Sequence, residues 1–269
     1  MNGRRGGVLL VLATLLGACS GAAAGTSGAP SASAIEMTVY AAASLKGAVP
    51  GVKSAYEVVA PGVVLTFATD SSSTLRTQIE QGAPADVFLS ADETNPSVLV
   101  DAGLADGEAV DFAGNLLTII VPIADPAGIA SARDLARNGV KVIAAGPDVP
   151  ITKYATQAVA NLANLSGDAD GFVARYEGNV VSKEDNVKAV VAKIELGEGD
   201  AAIVYATDAK ASSKVKAIEL PAEANVRAIY AGVVLKASAH VGEARAFLTW
   251  LAGTDGQAVL AEFGFVPPS

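Results

Sequence analysis

Cysteine and histidine are almost absent from this chain of 269 residues. It has one cysteine, Cys19, and one histidine, His240. A single cysteine excludes a disulfide bond within the chain, and these two residues are too few for the ligand sets of the usual zinc sites. A serine nucleophile needs a neighbouring base, and the Gly-x-Ser-x-Gly motif of the α/β-hydrolases is missing. The composition therefore argues against a zinc enzyme and against a serine hydrolase.

Basic residues are also scarce. Lys and Arg number 19 against 28 Asp and Glu, which gives a formal net charge of −9. No cluster of Lys and Arg could neutralise the phosphates of a nucleic acid, so we expect no nucleic-acid partner. An acidic protein of this kind can hold a small anion only through local, oriented dipoles, because its overall charge repels the ligand.

The N-terminal segment has the features of a bacterial lipoprotein signal. Two arginines precede the apolar run Val8–Leu16, which is too short to span a bilayer, where about 20 residues are needed. The next residues, Leu16-Gly17-Ala18-Cys19, resemble a lipobox, in which the cysteine receives a lipid and becomes the mature N-terminus. An ordinary signal peptide with an unmodified cysteine is the alternative.

We therefore predict a lipoprotein signal peptide at residues 1–18, lipidation at Cys19 and a flexible tether at residues 19–35. The tether is rich in Gly, Ala, Ser, Thr and Pro, and such a segment cannot bury enough apolar surface to fold. The expected localisation is extracytoplasmic, with the lipid anchor as the attachment to the membrane. The folded part begins near Ile35 and is long enough for one large domain or for two lobes.

Short runs rich in Val and Ile alternate with longer amphipathic stretches, a pattern typical of βαβ units around a largely parallel sheet. Strands are predicted at Met37–Ala41, Val63–Phe67, Asp86–Ser90, Leu116–Val121, Lys141–Ala145, Ala201–Tyr205, Val215–Leu220 and Ala228–Leu235. Helices are predicted at Leu45–Val59, Thr74–Gln81, Asn95–Ala102, Ala130–Arg137, Lys153–Asn164, Gly171–Tyr176, Glu184–Leu196, Glu243–Ala252 and Asp255–Phe263.

Three predicted junctions between a strand and a helix carry hydroxyl groups or small residues that leave the backbone accessible. They contain Ser44, the serines at 71–73, and the segment from Ser182 to Val187. The simplest interpretation is that each serine caps a helix, and the third junction resembles a capping box. Three helix N-termini at one edge of an α/β sheet would also suit an anion, because they combine free N–H groups with the positive ends of helix dipoles.

Longer motifs occur in a characteristic order and spacing over nearly the whole folded part. They are Ala41-Ala42-Ala43-Ser44-Leu45, Ser71-Ser72-Ser73-Thr74-Leu75, Gln78–Phe88, Ser90-Ala91-Asp92, Val149-Pro150, Lys153-Tyr154-Ala155, Asp185-Asn186-Val187, Gly197-Glu198, Ile203–Ala209 and Phe263-Gly264-Phe265. This set resembles the periplasmic molybdate-binding proteins of ABC importers, a family of solute-binding lipoproteins for molybdate and tungstate. The run from Gly82 to Asp92 is the most distinctive part of the resemblance.

The resemblance implies an α/β fold of the two-lobed, type II periplasmic-binding-protein class, with mixed or parallel sheets flanked by helices and a ligand cleft between the lobes. Lobe 1 would comprise residues 36–115 and 226–269, and lobe 2 residues 116–225. The implied function is capture of molybdate or tungstate for import through the permease subunits of an ABC transporter. A monomer without enzymatic activity, cofactor or bound metal cation is expected.

Proteins of this family hold their dianion with hydroxyl groups and backbone amides, without a cationic side chain. Carried over by position, the resemblance assigns the ligand to the hydroxyl groups of Ser44, Ser72 and Tyr205 and to the backbone amides of Ile151 and Val187. None of these assignments follows from composition or spacing alone.

Two departures from the family pattern leave choices open. Ile151-Thr152 stands where the family often has Ala-Gly, which changes the wall around the expected amide. Thr69-Asp70 lengthens the loop before the serines, so that Ser71 or Ser73 could replace Ser72 as the donor. The carboxylate of Asp70 is expected to point away from a bound dianion.

Two other functions stay as alternatives. The first is a binding protein for another oxyanion such as sulfate, and the second is a serine-dependent hydrolase. The carboxylates of Asp86, Asp92 and Asp208 lie in junctions where capping or an Asx-turn is the commoner use, so we do not expect them to be catalytic. The histidine is expected to be solvated or to cap the last long helix.

Overall fold

The structure is a computed structural model that describes residues 34–268. The predicted signal peptide, the predicted lipidation site and all but the end of the predicted tether lie outside this range. No helix within it is both long enough and apolar enough to cross a membrane. Residues from Ala34 onward form one compact unit, so a protein that begins there retains every element described below.

A five-stranded sheet lies at the centre of one half of the structure. Its strand order is β2-β1-β3-β10-β4, with β1, β2 and β3 parallel and β10 antiparallel to both of its neighbours. The strands are β1 Ile35–Ala42, β2 Val63–Asp70, β3 Val87–Leu89, β4 Val110–Asn115 and β10 Ala228–Val234. Ser44 and Ser72 lie in the segments that follow the carboxyl ends of β1 and β2.

Helices cover both faces of this sheet. They are α1 Val49–Val59, α2 Ser72–Glu80, α3 Thr94–Asp101, α8 Val241–Ala252 and α9 Thr254–Glu262. On one face α1 and α8 meet through Tyr56, Phe247 and Trp250, with the first two rings edge to face at 4.9 Å. On the other face α2 and α3 pack on β3 and β10 through a separate apolar cluster that includes Leu75 and Leu99.

The second half of the structure has two smaller sheets. In one, β5 Leu117–Pro122 is antiparallel to both β8 Ala202–Tyr205 and β9 Val215–Glu219. In the other, β6 Val142–Ala145 is parallel to β7 Val180–Glu184. A single bridge from Val142 to Ala201 joins them. The helices of this half are α4 Pro150–Ser166, α5 Ala169–Asn179, α6 Val187–Glu195 and α7 Ala206–Lys210.

All eight strands predicted from the sequence are present, with small shifts at their ends. Two strands, β4 and β7, and the short helix α7 were not predicted. Strand β4 contains Asp111, Gly114 and Asn115 among its six residues, so its sequence has no clear strand pattern, and pairing with β10 holds it in the sheet. The sheets are mixed, as the resemblance implies, rather than largely parallel as the alternation of elements suggests, because β5, β8, β9 and β10 pair antiparallel.

Three helix predictions also need correction. Leu45–Val59 divides into a 3-10 segment at Ala43–Gly47 and α1, since proline is suited only to the first turn of a helix and Pro50 lies in the first turn of α1. Ala130–Arg137 is a 3-10 segment at Ala132–Ala136. The helix predicted from Glu184 begins only at Val187, because Glu184 is the last residue of β7.

Candidate anion-binding site

All five residues assigned by the resemblance line one small cavity between the two halves of the structure. The remaining lining residues are Ala42, Ala43, Ser71, Ala91, Val149 and Pro150. The cavity has room for about one water, so its walls lie close together and must move apart to admit a larger ligand. Asp70 and Ser73 are not among its lining residues.

Three helix N-termini border this cavity. Ser72 and Val187 are the first residues of α2 and α6, and Ile151 is the second residue of α4. Backbone N–H groups at these positions have no acceptor within their own helix, and among residues 34–268 no hydrogen bond from any of the three amides to another group is found. They also lie at the positive end of each helix dipole. The cavity is therefore suited to a negatively charged ligand.

Local sequence determines where these helices begin. Proline is favoured at the first helical position, because its missing N–H would have no partner there, and Pro150 occupies that position in α4. Asn186 caps α6, since its Oδ1 accepts a hydrogen bond from the Ala189 N–H at 3.1 Å. The predicted capping box at Ser182 is wrong, because this serine lies within β7.

The hydroxyl of Ser44 is fixed by two residues behind it. Its Oγ accepts a hydrogen bond from the Tyr230 hydroxyl at 2.8 Å, and the Tyr230 oxygen accepts one from Asn115 Nδ2 at 3.3 Å. Because an amide NH₂ can only donate, the Tyr230 proton is directed at Ser44. The Ser44 proton is thereby left for an acceptor in the cavity. Ser44 does not cap a helix as predicted but lies inside the 3-10 segment.

The hydroxyl of Ser72 has a similar arrangement. Its Oγ accepts a hydrogen bond at 3.0 Å from the N–H of Ala91, which follows β3. Its proton is then free to donate into the cavity. The hydroxyl groups of Ser71 and Ser73 are 2.8 Å apart and bond to each other. The geometry thus distinguishes Ser72 from its two neighbours.

The hydroxyl of Tyr205 is buried but has no hydrogen-bond partner among the residues that the structure describes. Tyr205 ends β8, and its side chain is 1% exposed. Burial raises the pKa of its hydroxyl well above the ordinary value, and the neighbouring Tyr230 and Tyr154 add a smaller contribution in the same direction. The phenol therefore stays protonated and can act as a donor. Leaving a buried polar group unpaired costs about 1–3 kcal/mol, so an acceptor in the cavity would relieve this cost.

No lysine or arginine is among the residues that line the cavity. Lys188, next to Val187, forms an ion pair with the fully buried Asp208 at 2.7 Å. Burial raises the pKa of the Asp208 carboxyl, and the lysine opposes that shift. The carboxylate of Asp208 thus balances a cation, a contact that the sequence did not predict. Asp92, by contrast, accepts from the Asn95 N–H at 3.0 Å, as a capping residue would.

Sequence reasoning missed the residues that hold the two serines. Tyr230 and Asn115 are buried, and nothing in their local sequence distinguishes them from core residues of a strand. The other missed contact, from Ala91 to Ser72, uses a backbone N–H, which any residue type except proline could supply.

Within residues 34–268 no group of three or more His, Cys, Asp or Glu side chains is placed to hold a metal ion. His240 lies at the cap position of α8, where its side chain makes no capping bond.

Comparison with known proteins agrees with this geometry. Residues 37–266 match the family described as bacterial extracellular solute-binding protein. The molybdate-binding protein ModA of Mycobacterium tuberculosis strain H37Rv is 34% identical over 260 residues, which cover 96% of this chain and 95% of that protein.

Two solved structures are also similar. The substrate binding domain of a putative molybdenum ABC transporter from Clostridium difficile is 31% identical, with a TM-score of 0.64 over 87% of this chain and 99% of that one. The periplasmic molybdate-binding protein of Azotobacter vinelandii is 25% identical, with a TM-score of 0.73 over 87% of this chain and all of that one. This similarity confirms the predicted two-lobed, type II periplasmic-binding-protein fold.

These relatives are substrate-binding proteins rather than enzymes, and proteins of this kind act outside the cytoplasm. The expectation of an extracytoplasmic binding protein is confirmed to that extent. The extent of the family match and the level of identity lead to one conclusion. The chain belongs to the family of bacterial extracellular solute-binding proteins.

Proposed function

We propose that the protein captures molybdate, or tungstate, outside the cytoplasm and delivers it to the permease subunits of an ABC importer. The observation that carries this proposal is a cavity lined by hydrogen-bond donors without a cationic side chain. The similarity to molybdate-binding proteins over nearly the whole chain supports the same ligand class. The proposed contacts are the hydroxyl groups of Ser44, Ser72 and Tyr205 and the backbone amides of Ile151 and Val187.

The energetics of such a site are favourable. A hydrogen bond to a charged acceptor contributes roughly 1.5–3 kcal/mol, so several convergent donors can offset the water that the dianion loses. Closure of the cleft excludes water and lowers the local dielectric, which strengthens each bond. Both serine hydroxyl groups already accept one bond from the protein, from Tyr230 and Ala91. Their protons are therefore available to a ligand that only accepts.

A lining of donors also discriminates among oxyanions. Molybdate, tungstate and sulfate are fully deprotonated near neutral pH and can accept at every oxygen. Hydrogen phosphate carries a proton that needs an acceptor, and leaving it unpaired costs about 1–3 kcal/mol. Sulfate has the same hydrogen-bonding chemistry as molybdate, so the size of the closed cavity must exclude it.

The division of the chain into lobes is part of the proposal. Lobe 1 would comprise residues 36–115 and 226–269, and lobe 2 residues 116–225. The five-stranded sheet takes all of its strands from the first set, and β5 to β9 belong to the second. The ligand would bind where the two sets meet. We also propose a monomer that a lipid on Cys19 anchors to the membrane, as the lipobox-like sequence predicts.

The proposal is tested by isothermal titration of the protein from Ala34 onward with molybdate, tungstate, sulfate and phosphate. We expect tight one-to-one binding of the first two and far weaker binding of the others. Equally tight binding of sulfate would keep the site and change the ligand to sulfate. Absence of binding to all four would contradict the proposed function.

A further inference from the structure

A hydrogen bond joins the two halves of the structure beside the cavity. Asp70 is the last residue of β2, and Asn186 is the cap of α6. The Asp70 Oδ1 accepts a hydrogen bond from Asn186 Nδ2 at 3.1 Å, across 116 positions of sequence. The same carboxylate oxygen accepts from the Ser71 N–H at 2.7 Å. Asp70 is thus held between its own chain neighbour and the opposite side of the cleft.

Both partners are directly adjacent in sequence to residues of the proposed site. Asp70 precedes Ser71 and Ser72, and Asn186 precedes Val187. Asn186 also uses its Oδ1 to accept from the Ala189 N–H, so its amide orientation is fixed by the helix that it caps. The bond therefore links the N-terminus of α2 to that of α6. These are two of the helix ends that border the cavity.

The local use of Asp70 does not account for this arrangement. Asp70 lies one residue before Ser71, the N-cap of α2, and its local contact is with the Ser71 N–H. Its carboxylate also places a negative charge near an anion site. Repulsion between two charges weakens binding unless something compensates for it. A charge-assisted hydrogen bond that forms across the cleft supplies that compensation, because it stabilises the closed arrangement.

We propose that Asp70 and Asn186 form a clasp across the cleft, which positions the Val187 amide against Ser72 and slows release of the oxyanion. This inference rests on the proposed function. The clasp forms when the lobes close on the ligand and must break before the ligand leaves. Its loss therefore acts mainly on the dissociation rate and leaves the association rate nearly unchanged. Both residues are positioning residues, since neither lines the cavity.

The test measures release of bound, isotopically labelled molybdate after addition of excess unlabelled molybdate. Asp70→Ala removes the acceptor, and we expect release about tenfold faster, as for loss of a partly exposed charge-assisted bond. Simple repulsion predicts the opposite, because removing a carboxylate near a dianion should slow its release. A release rate equal to or below that of the wild type in Asp70→Ala would overturn the clasp.

Exchanging the two side chains between positions 70 and 186 provides the second part of the test. Asn186→Asp keeps an oxygen that accepts from the Ala189 N–H, so α6 stays capped, but it sets two carboxylates against each other. We expect release about tenfold faster or more. The double variant Asp70→Asn with Asn186→Asp restores one donor and one carboxylate at the wild-type net charge. We expect its release rate to return to within about threefold of the wild type, and failure to recover would overturn the proposal.

Two controls separate the clasp from other effects. Asp101→Ala removes an exposed carboxylate at the end of α3, and we expect no change in release. Thermal unfolding without ligand identifies any variant that folds poorly. If Asp70→Ala is one of them, Asn186→Asp and the double variant decide the question. A wild-type protein that binds neither molybdate nor tungstate overturns the proposed function and the clasp with it, whereas normal binding with unchanged release overturns the clasp alone.

Discussion

The Tyr230 hydroxyl donates a hydrogen bond to Ser44 Oγ over 2.8 Å, between residues 186 positions apart in sequence. Asn115 Nδ2 donates to the same tyrosine oxygen at 3.3 Å. This chain of donors determines the orientation of a serine proton at the cavity, although neither Tyr230 nor Asn115 lines it. Part of the specificity of the proposed site therefore depends on residues behind its wall.

Replacing Tyr230 by phenylalanine tests this relationship. Without the donor, Ser44 is free to turn its proton away from the ligand, so we expect oxyanion affinity to fall by about three- to tenfold, the range of one neutral hydrogen bond. Titration calorimetry measures the effect. Tyr56→Phe is the matched control, because Tyr56 is also buried but lies on α1 and packs against Phe247 of α8. Equal affinities in the wild type and Tyr230→Phe would show that the orientation of the Ser44 hydroxyl does not depend on Tyr230.

Tyr205→Phe should change affinity and stability in opposite directions. Loss of a charge-assisted bond weakens oxyanion binding by about 1.5–3 kcal/mol. The ligand-free protein no longer buries an unpaired hydroxyl, so its thermal midpoint should stay equal or rise. Calorimetric titration and thermal unfolding of the same preparation provide both values. Unchanged affinity would remove Tyr205 from the proposed site.

Ser72→Ala and Ser73→Ala form a matched pair one residue apart. The first removes a proposed donor and leaves the buried Ala91 N–H without its acceptor, so both affinity and stability should fall, each by about 1–3 kcal/mol. The second removes only the hydroxyl that bonds to Ser71, and affinity should change little. A larger loss of affinity in Ser73→Ala would mean that the wrong serine has been assigned.

Tyr176 should limit stability at high pH. It is partly buried, and the loss of solvent raises its pKa to about 12, whereas in the unfolded chain a tyrosine ionises near pH 10. Between these values the folded state holds a proton that the unfolded state has lost, so stability falls as pH rises, by about 1.4 kcal/mol per pH unit for this residue. Unfolding in denaturant from pH 9 to 12 measures the slope. Tyr176→Phe should make it shallower, and an identical slope would contradict the assignment.

The predicted lipobox is tested by the mass of the mature protein. We expect a chain that begins at Cys19 and carries a diacylglycerol, isolated with the membrane fraction. Cys19→Ala should release the protein from membranes without altering oxyanion affinity, since the folded unit begins at Ala34. An unmodified N-terminus in the wild-type protein would leave an ordinary signal peptide as the explanation.

The site residues could be predicted because the sequence carries motifs that resemble those of a known family. The resemblance, rather than local spacing, assigned Ser44 and Val187 to the ligand. The structure brings both residues into one cavity. The helix starts were less predictable, because Glu184 and Ser182 have capping-type side chains but pair with β6 as part of a strand.

Contacts between distant segments could not be predicted. Asp70 was expected only to avoid the ligand, and its hydrogen bond to Asn186 depends on how two halves of the chain approach each other. Likewise, the ion pair of Lys188 with Asp208 joins α6 to α7, which follows a different strand. Single-sequence patterns report the local environment of each residue, whereas these pairs are set by tertiary packing.

The absence of a cation from the lining of the cavity has a consequence for delivery. An anion paired with a buried arginine or lysine would leave an uncompensated positive charge in the protein on departure, at a high electrostatic cost. Here the charges of Lys188 and Asp208 already balance each other. In the proposed function, the departing anion exchanges the neutral donors of the cavity for those of water, and no unbalanced charge stays behind in the cavity lining. Tight capture and rapid unloading can thus occur in the same protein, with opening of the lobes as the controlling step.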